Sequence, residues 1–289
     1  MMGLRRLCMA GALASSVLLS GQTIPEPRKQ FGASVTGAFE GWYESGDATR
    51  GFLVGYYNRN TQEELDIPVG PNNRIEPGGP DMGQPTHFLP SRQFGMFAIP
   101  VPKDFTPEDK LTWTIYANGT YTTIPLRLHP DYVISPFSEI AVGNTPPVIK
   151  FEENGTALQG PIATLTNAAV RTVSLSEPLA LTIWVTDDMK YTSGTNAPMT
   201  TKRPPVTLVW SKYRGPGSVT FDKARPAVEQ LVATGNANAA FSGKATTNVK
   251  FSEAGEYVLH VTANDYSGDG GGGFQCCWTT GLVKVSVKP

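Results

Sequence analysis

Cysteine is scarce in this chain of 289 residues: there are three, at Cys8, Cys276 and Cys277. None directly follows the apolar N-terminal run, so lipoprotein-type acylation has no acceptor there. Long hydrophobic runs are equally scarce. Beyond the N-terminus no stretch of 18 apolar residues occurs, and the mature chain has no segment able to span a bilayer as a helix. Charge is thin at 17% and forms no basic block, so nucleic-acid binding by phosphate neutralisation has no compositional support. Catalytic signatures are missing too: no G-x-S-x-G elbow, H-E-x-x-H pair or phosphate loop is present. The three histidines, His87, His129 and His260, are scattered, with His87 on a loop, His129 before a proline and His260 facing outward from a strand. Catalysis is not expected.

What is abundant points to short strands and turns. Thirty Gly, 24 Pro and many Thr and Val favour β structure over helix, and the length suggests about two domains. At the start, Arg5 and Arg6 precede an apolar stretch from Leu7 to Leu19, followed by Ser20, Gly21 and Gln22, the pattern of an export signal over residues 1–21. The stretch is too short for a retained anchor helix, which needs about 20 residues. Removing Arg5 and Arg6 from 24 basic residues leaves 22 against 25 acidic, near neutrality. Export is expected, to the periplasm, the cell surface or the medium.

Residues 22–30 read as an extended leader and 31–142 as a first β domain. Val35–Tyr43 and Gly51–Tyr57 are aromatic-rich strands joined by Ser45, Gly46 and Asp47. Asn118-Gly119 between two alternating runs predicts a type I′ hairpin, with positive φ at both positions. Ile67–Pro90 carries six Pro and four Gly, which predicts a long ordered loop or an irregular edge. Gly143–Pro147 is a stiff linker, and 148–289 is the second domain. There Leu179, Leu181, Ile183 and Val185 alternate with more polar neighbours, as do Tyr257, Leu259, Val261 and Ala263. That period of two marks strands with one buried face. Leu282–Val287 supplies the last strand, and Ala224–Thr234 at most one short helical turn.

The second domain resembles bacterial polycystic-kidney-disease-type (PKD-like) and related immunoglobulin-like modules of exported proteins. The likeness rests on Thr186-Asp187-Asp188 after an apolar strand, Val209–Lys212, Gly215-Pro216-Gly217, Val219–Phe221 and Phe251–Leu259, in that order. It implies an all-β fold, and with the first domain read in the same style, two consecutive immunoglobulin-like antiparallel β-sandwiches. It also implies a Tyr257 hydroxyl tied to nearby backbone and Trp210 in the core of the third strand, although no cysteine pair is placed to bridge the sheets. The insert Met189–Pro205 and the Gly-rich tip Ser267–Trp278 depart from the pattern. Fold likeness of this kind says little about function, because such modules serve as spacers, adhesion units and enzyme appendages.

That topology puts the loops carrying Asp187 and Asp188 at the same end as Asp265 and Asp269, a candidate calcium site. Asp265–Gly270 resembles the start of a calcium loop, but Cys276 stands where a bidentate Glu belongs; the alternative is carboxylates capping their own turns. Neighbouring residues on a trans backbone place their Cα atoms about 3.8 Å apart, below the usual disulfide range. An exported chain still favours a Cys276–Cys277 disulfide stiffening the Gly270–Gly273 tip, over an intermolecular bridge, metal ligation or two buried thiols.

Trp42, Tyr43, Phe52, Tyr56 and Tyr57 are a candidate sugar-stacking platform, with sandwich core as the commoner fate of such a set. Asn73, Arg74 and His87 on the Pro/Gly loop are candidate ligand-binding residues, the alternative being a solvated connection bonding its own backbone. The expectation is an exported, non-catalytic protein of the cell envelope, binding or structural, with a protein or glycan partner. The competing reading is a carbohydrate- or small-ligand-binding accessory protein, and behind it a hydrolase of unfamiliar type.

Overall fold

The computed structural model describes residues 26–46, 48–139, 143–190, 204–231, 241–265 and 276–289. The export signal, Asp269 and the Gly270–Gly273 tip lie outside them, as does most of the Met189–Pro205 insert.

The fold is all-β. The first unit holds β1 (Val35–Glu44), β2 (Arg50–Asn58), β3 (Leu65–Asp66), β4 (Asn73–Glu76), β5 (His87–Phe88), β6 (Ser91–Val101), β7 (Leu111–Ala117) and β8 (Thr120–Leu126). Its sheets run β1-β2-β6 and β4-β7-β8, with β3-β5 a separate ribbon, all antiparallel. The β7–β8 turn has φ of 48° at Asn118 and 81° at Gly119, the geometry its sequence demands. The Pro/Gly segment is more ordered than its composition suggests: β4 pairs with β7, and β5 closes the β3 ribbon. Between the sheets, Trp113 meets Phe97 edge-on with ring centroids 5.5 Å apart, and Phe52, Tyr56, Phe88 and Ile115 fill the same core.

The second unit holds β9 (Val148–Lys150), β10 (Leu158–Gln159), β11 (Ala169–Ser174), β12 (Leu179–Asp187), β13 (Thr207–Arg214), β14 (Val219–Phe221), β15 (Glu229–Gln230), β16 (Phe241–Phe251), β17 (Gly255–Asn264) and β18 (Trp278–Lys288). One sheet runs β10-β9-β12-β16-β14 with β15 also on β16; the other runs β11-β18-β17-β13. All pairs are antiparallel except β11–β18, which is parallel. The expected helical turn is absent at Glu229–Gln230, where β15 forms instead. The alternation reads through directly: Leu181, Ile183 and Val185 of β12 face Trp210, Tyr257, Leu259 and Val261 in one core. The Tyr257 hydroxyl donates to the Glu253 carbonyl at 2.9 Å and accepts from the Gly217 N–H at 3.1 Å, which pins the strand entry.

The two units share apolar interior. Tyr213, Val258 and Leu282, on the outward side of the β11-β18-β17-β13 sheet, are buried in the first unit's core cluster. Trp278 packs with Leu53 and Ala98 on the outer face of β2 and β6. This second covering explains why β2 is buried along nearly its whole length, unlike a strand with one wet face.

Candidate functional site

Polar bonds lock the junction. Arg214 grips both oxygens of Asp81, at 2.9 and 3.0 Å, and its Nε donates to the Gln84 carbonyl at 2.9 Å. Tyr213 donates its hydroxyl to the Gly83 carbonyl at 2.5 Å, and its own carbonyl accepts from the Thr86 N–H at 3.1 Å. The Arg214 guanidinium is the main reason that the Asp81 carboxyl is held below its usual range. Burial pushes the Tyr213 phenol well above its usual range, so it stays a neutral donor.

Beside this lock opens a cleft of about 560 Å³ between the units, lined by the edge strand β13, β14 and the β3–β5 ribbon. One wall is a chain of carboxylates alternating with His87 and Lys212. Glu64 Oε2 lies 3.2 Å from His87 Nε2, His87 Nδ1 lies 3.0 Å from Asp66 Oδ1, and the same oxygen accepts from Lys212 Nζ at 3.0 Å. His87 and Lys212 are covered, their side chains each 8% exposed; Glu64 and Asp66 stand 56% exposed toward solvent. Val209, Val219 and Phe221 also line the cleft and are half-buried, with Trp210 stacked on Phe221 at 6.3 Å.

His260 also lines the cleft and is 2% exposed. It points outward from its own sandwich, as the alternation predicts, but the first unit covers it. Its ring stacks on Tyr213 at 5.9 Å and 17°. Burial lowers its pKa to about 4, against the opposing pull of a hydrogen bond to the Met96 backbone, so the ring is neutral near pH 7. Nε2 has no hydrogen-bond partner among the described residues.

Of the candidate ligand-binding residues, only His87 reaches this cleft. Tyr56 is fully buried, edge-on to Phe88, and its hydroxyl accepts from the Leu89 N–H at 2.8 Å. Burial raises its pKa, and raises that of Tyr43 to about 12. Phe52 is enclosed with Tyr56 in the sandwich core and Tyr43 packs with Leu53 and Trp278, while Tyr57 is half-buried beneath the Arg59 guanidinium. Trp42 is half-buried on β1, its indole N–H donating to the His129 carbonyl at 2.8 Å. Asn73 is fully buried and spent on structure: it donates to the carbonyls of Ile67 and Pro85 and accepts from the Trp113 indole at 2.9 Å. Arg74 binds Glu76 and the Pro71 carbonyl beside it.

At the other end of the second sandwich, Asp188 accepts from the Thr145 N–H and hydroxyl and from the Lys190 N–H. Asp265 accepts from Asn144 at 2.8 Å, and Asp187 caps the Met189 N–H at 2.8 Å. Asn144 and Thr145 thus sit among these carboxylates, and the described residues contain no cluster of three or more metal-ligating side chains. Cys276 and Cys277 are bonded to one another across a cis peptide, both buried; the trans spacing assumed from the sequence therefore does not apply. Among the described residues no helix is long and apolar enough to cross a membrane.

No protein-family model matches the chain, and no curated protein does either. Among solved structures it is similar to the D00-D0 domain of intimin, at 13% identity over 89% of this chain and all of that one, with a TM-score of 0.24. A crystal structure of the adhesin CfaE of CFA/I enterotoxigenic E. coli is similar at 10% identity over 92% of this chain and 83% of that one, TM-score 0.22. At such scores neither likeness bears on the cleft.

The sequence missed Glu64, Asp66, Lys212 and His260 as site residues. Two signals were present: Asp66 directly precedes the Pro/Gly loop that carries His87, and Val258 on the same strand as His260 and Leu282 paired with it on β18 face outward too, which marks a second buried face.

Proposed function

We propose that this chain is an exported, non-catalytic protein of the cell envelope in which two sandwiches act as one rigid unit and present the cleft at their junction to a partner. The observation that carries this reading is the Glu64–His87–Asp66–Lys212 chain, built from both units and half open to solvent. Buried polar groups from two units converge there, as recognition sites at domain interfaces do. The same geometry supports a binding role over catalysis. Both His87 nitrogens are taken by carboxylates, and no hydroxyl among the described residues pairs with His260 Nε2, so neither imidazole is placed to activate a nucleophile. Export rests on the N-terminal sequence and fits the bonded Cys276–Cys277 pair.

The test is envelope binding by the mature chain, compared with Ser211→Trp, which fills the cleft. Capture of envelope protein or glycan that Ser211→Trp abolishes, with unchanged circular dichroism, supports the reading. Equal capture by both proteins, or a cytosolic chain with its N-terminus intact, overturns it.

A further inference from the structure

We infer that the cleft takes an uncharged, hydroxyl-rich ring, a sugar residue of a glycan; this rests on the reading of the cleft as the recognition site. Three features of the walls select that chemistry. The first is charge balance. Two carboxylates alternate with an ammonium and an imidazole whose nitrogens both face carboxylate oxygens, so each carboxylate already has a polar partner. A cationic ligand meets carboxylates already paired, while an anion meets them at the open rim, so neither sign of charge gains much.

The second feature is the kind of polar group still on offer. Glu64 and Asp66 stand half exposed, each with acceptor capacity beyond its present bonds, and carboxylate acceptors bind neutral hydroxyl donors well. Gln93, Ser211, Ser218 and Thr262 add uncharged donors and acceptors around the rim. His260 also lines the cleft, 2% exposed, with its Nε2, unpartnered among the described residues, shielded from solvent.

The third feature is the apolar part of the lining. Val209, Val219 and Phe221 are half-buried and Pro216 is exposed, adding modest apolar surface to the cleft lining. A pyranose has this same two-sidedness, with C–H groups on its faces and hydroxyls on its edge. A volume of about 560 Å³ lies within the range of small-ligand clefts.

The experiment is a glycan array of glucose, galactose, mannose and N-acetylglucosamine oligomers probed with the mature full chain, then calorimetric titration of the best trisaccharide. Binding is expected, insensitive to added salt because the ligand is uncharged. Glu64→Gln and Ser211→Trp should each weaken it about tenfold or more, while Tyr121→Ala, remote from the cleft, leaves it unchanged. Melting curves identify any variant that fails to fold, and Glu64, being half exposed, tolerates its change. A blank array, or sugar binding that survives both cleft variants, overturns the inference. A blank array together with Ser211→Trp-sensitive capture of an envelope protein sinks the sugar alone and leaves the cleft reading standing.

Discussion

Lys212 of the second sandwich reaches Asp66 of the first, Nζ to Oδ1 at 3.0 Å, and is the only long cation of the described residues that closes the cleft wall from that side. Because Asp66 is half exposed, the pair gains less than a buried one. A double-mutant cycle of Lys212→Met with Asp66→Asn should return a coupling of about 1 kcal/mol in urea denaturation. Purely additive losses would show that the contact contributes no coupling.

Arg214 should matter more, because its fork holds both oxygens of Asp81 and also a carbonyl. Arg214→Ala is expected to cost about 2 kcal/mol at neutral pH. Asp81 titrates below its usual value of 3.8 when folded, so its stabilisation is full above that pH and is lost as pH falls through the folded value. The difference between wild type and Arg214→Ala should therefore be flat from pH 7 to 5 and shrink in acid. A gap that widens in acid would contradict this assignment.

His260 acts with the opposite group type but in the same direction of pH. Its folded pKa of about 4 lies below the ordinary 6.5, so the unfolded chain binds the proton first. Stability is full above pH 6.5 and falls progressively towards pH 4, by about 3 kcal/mol in all. His260→Phe keeps a ring against Tyr213 and should remove that slope, measured as the wild-type-minus-variant difference across the range. If the two proteins show parallel pH profiles, His260 is not neutral in the fold.

Gly95 sits at φ of 48°, and a Cβ there would lie 2.6 Å from Cζ2 of Trp278 across the junction. Trp278 is 3% exposed and has no room to withdraw. Gly95→Ala should cost about 2 kcal/mol, lowering Tm by roughly 4–8 °C. Gly46→Ala, with nothing within 4 Å, is the matched control and should leave Tm in place.

The strands of the second sandwich were legible because burial of one face imposes a period of two that local sequence records, from Leu181 to Val185 and from Tyr257 to Ala263. Asn118-Gly119 was legible because few residue pairs tolerate that turn. The aromatic set was ambiguous: composition places Tyr56 in a strand, but only packing says which side of the sheet it faces. The cleft was legible in the sequence only at His87. Its acidic and cationic members lie 146 positions apart in sequence, at Asp66 and Lys212.

By itself, then, the sequence determined an all-β chain, its hairpin and the alternation of its cores, since these follow from backbone preference and from burial of one strand face. Tertiary structure alone decided that the outward face of β17 and β18 would be covered, that Asn73 would be consumed by its own loop, and that His260 would be neutral. Those outcomes depend on which surfaces of two separately patterned sandwiches meet, and desolvation and charge pairing act only once they do.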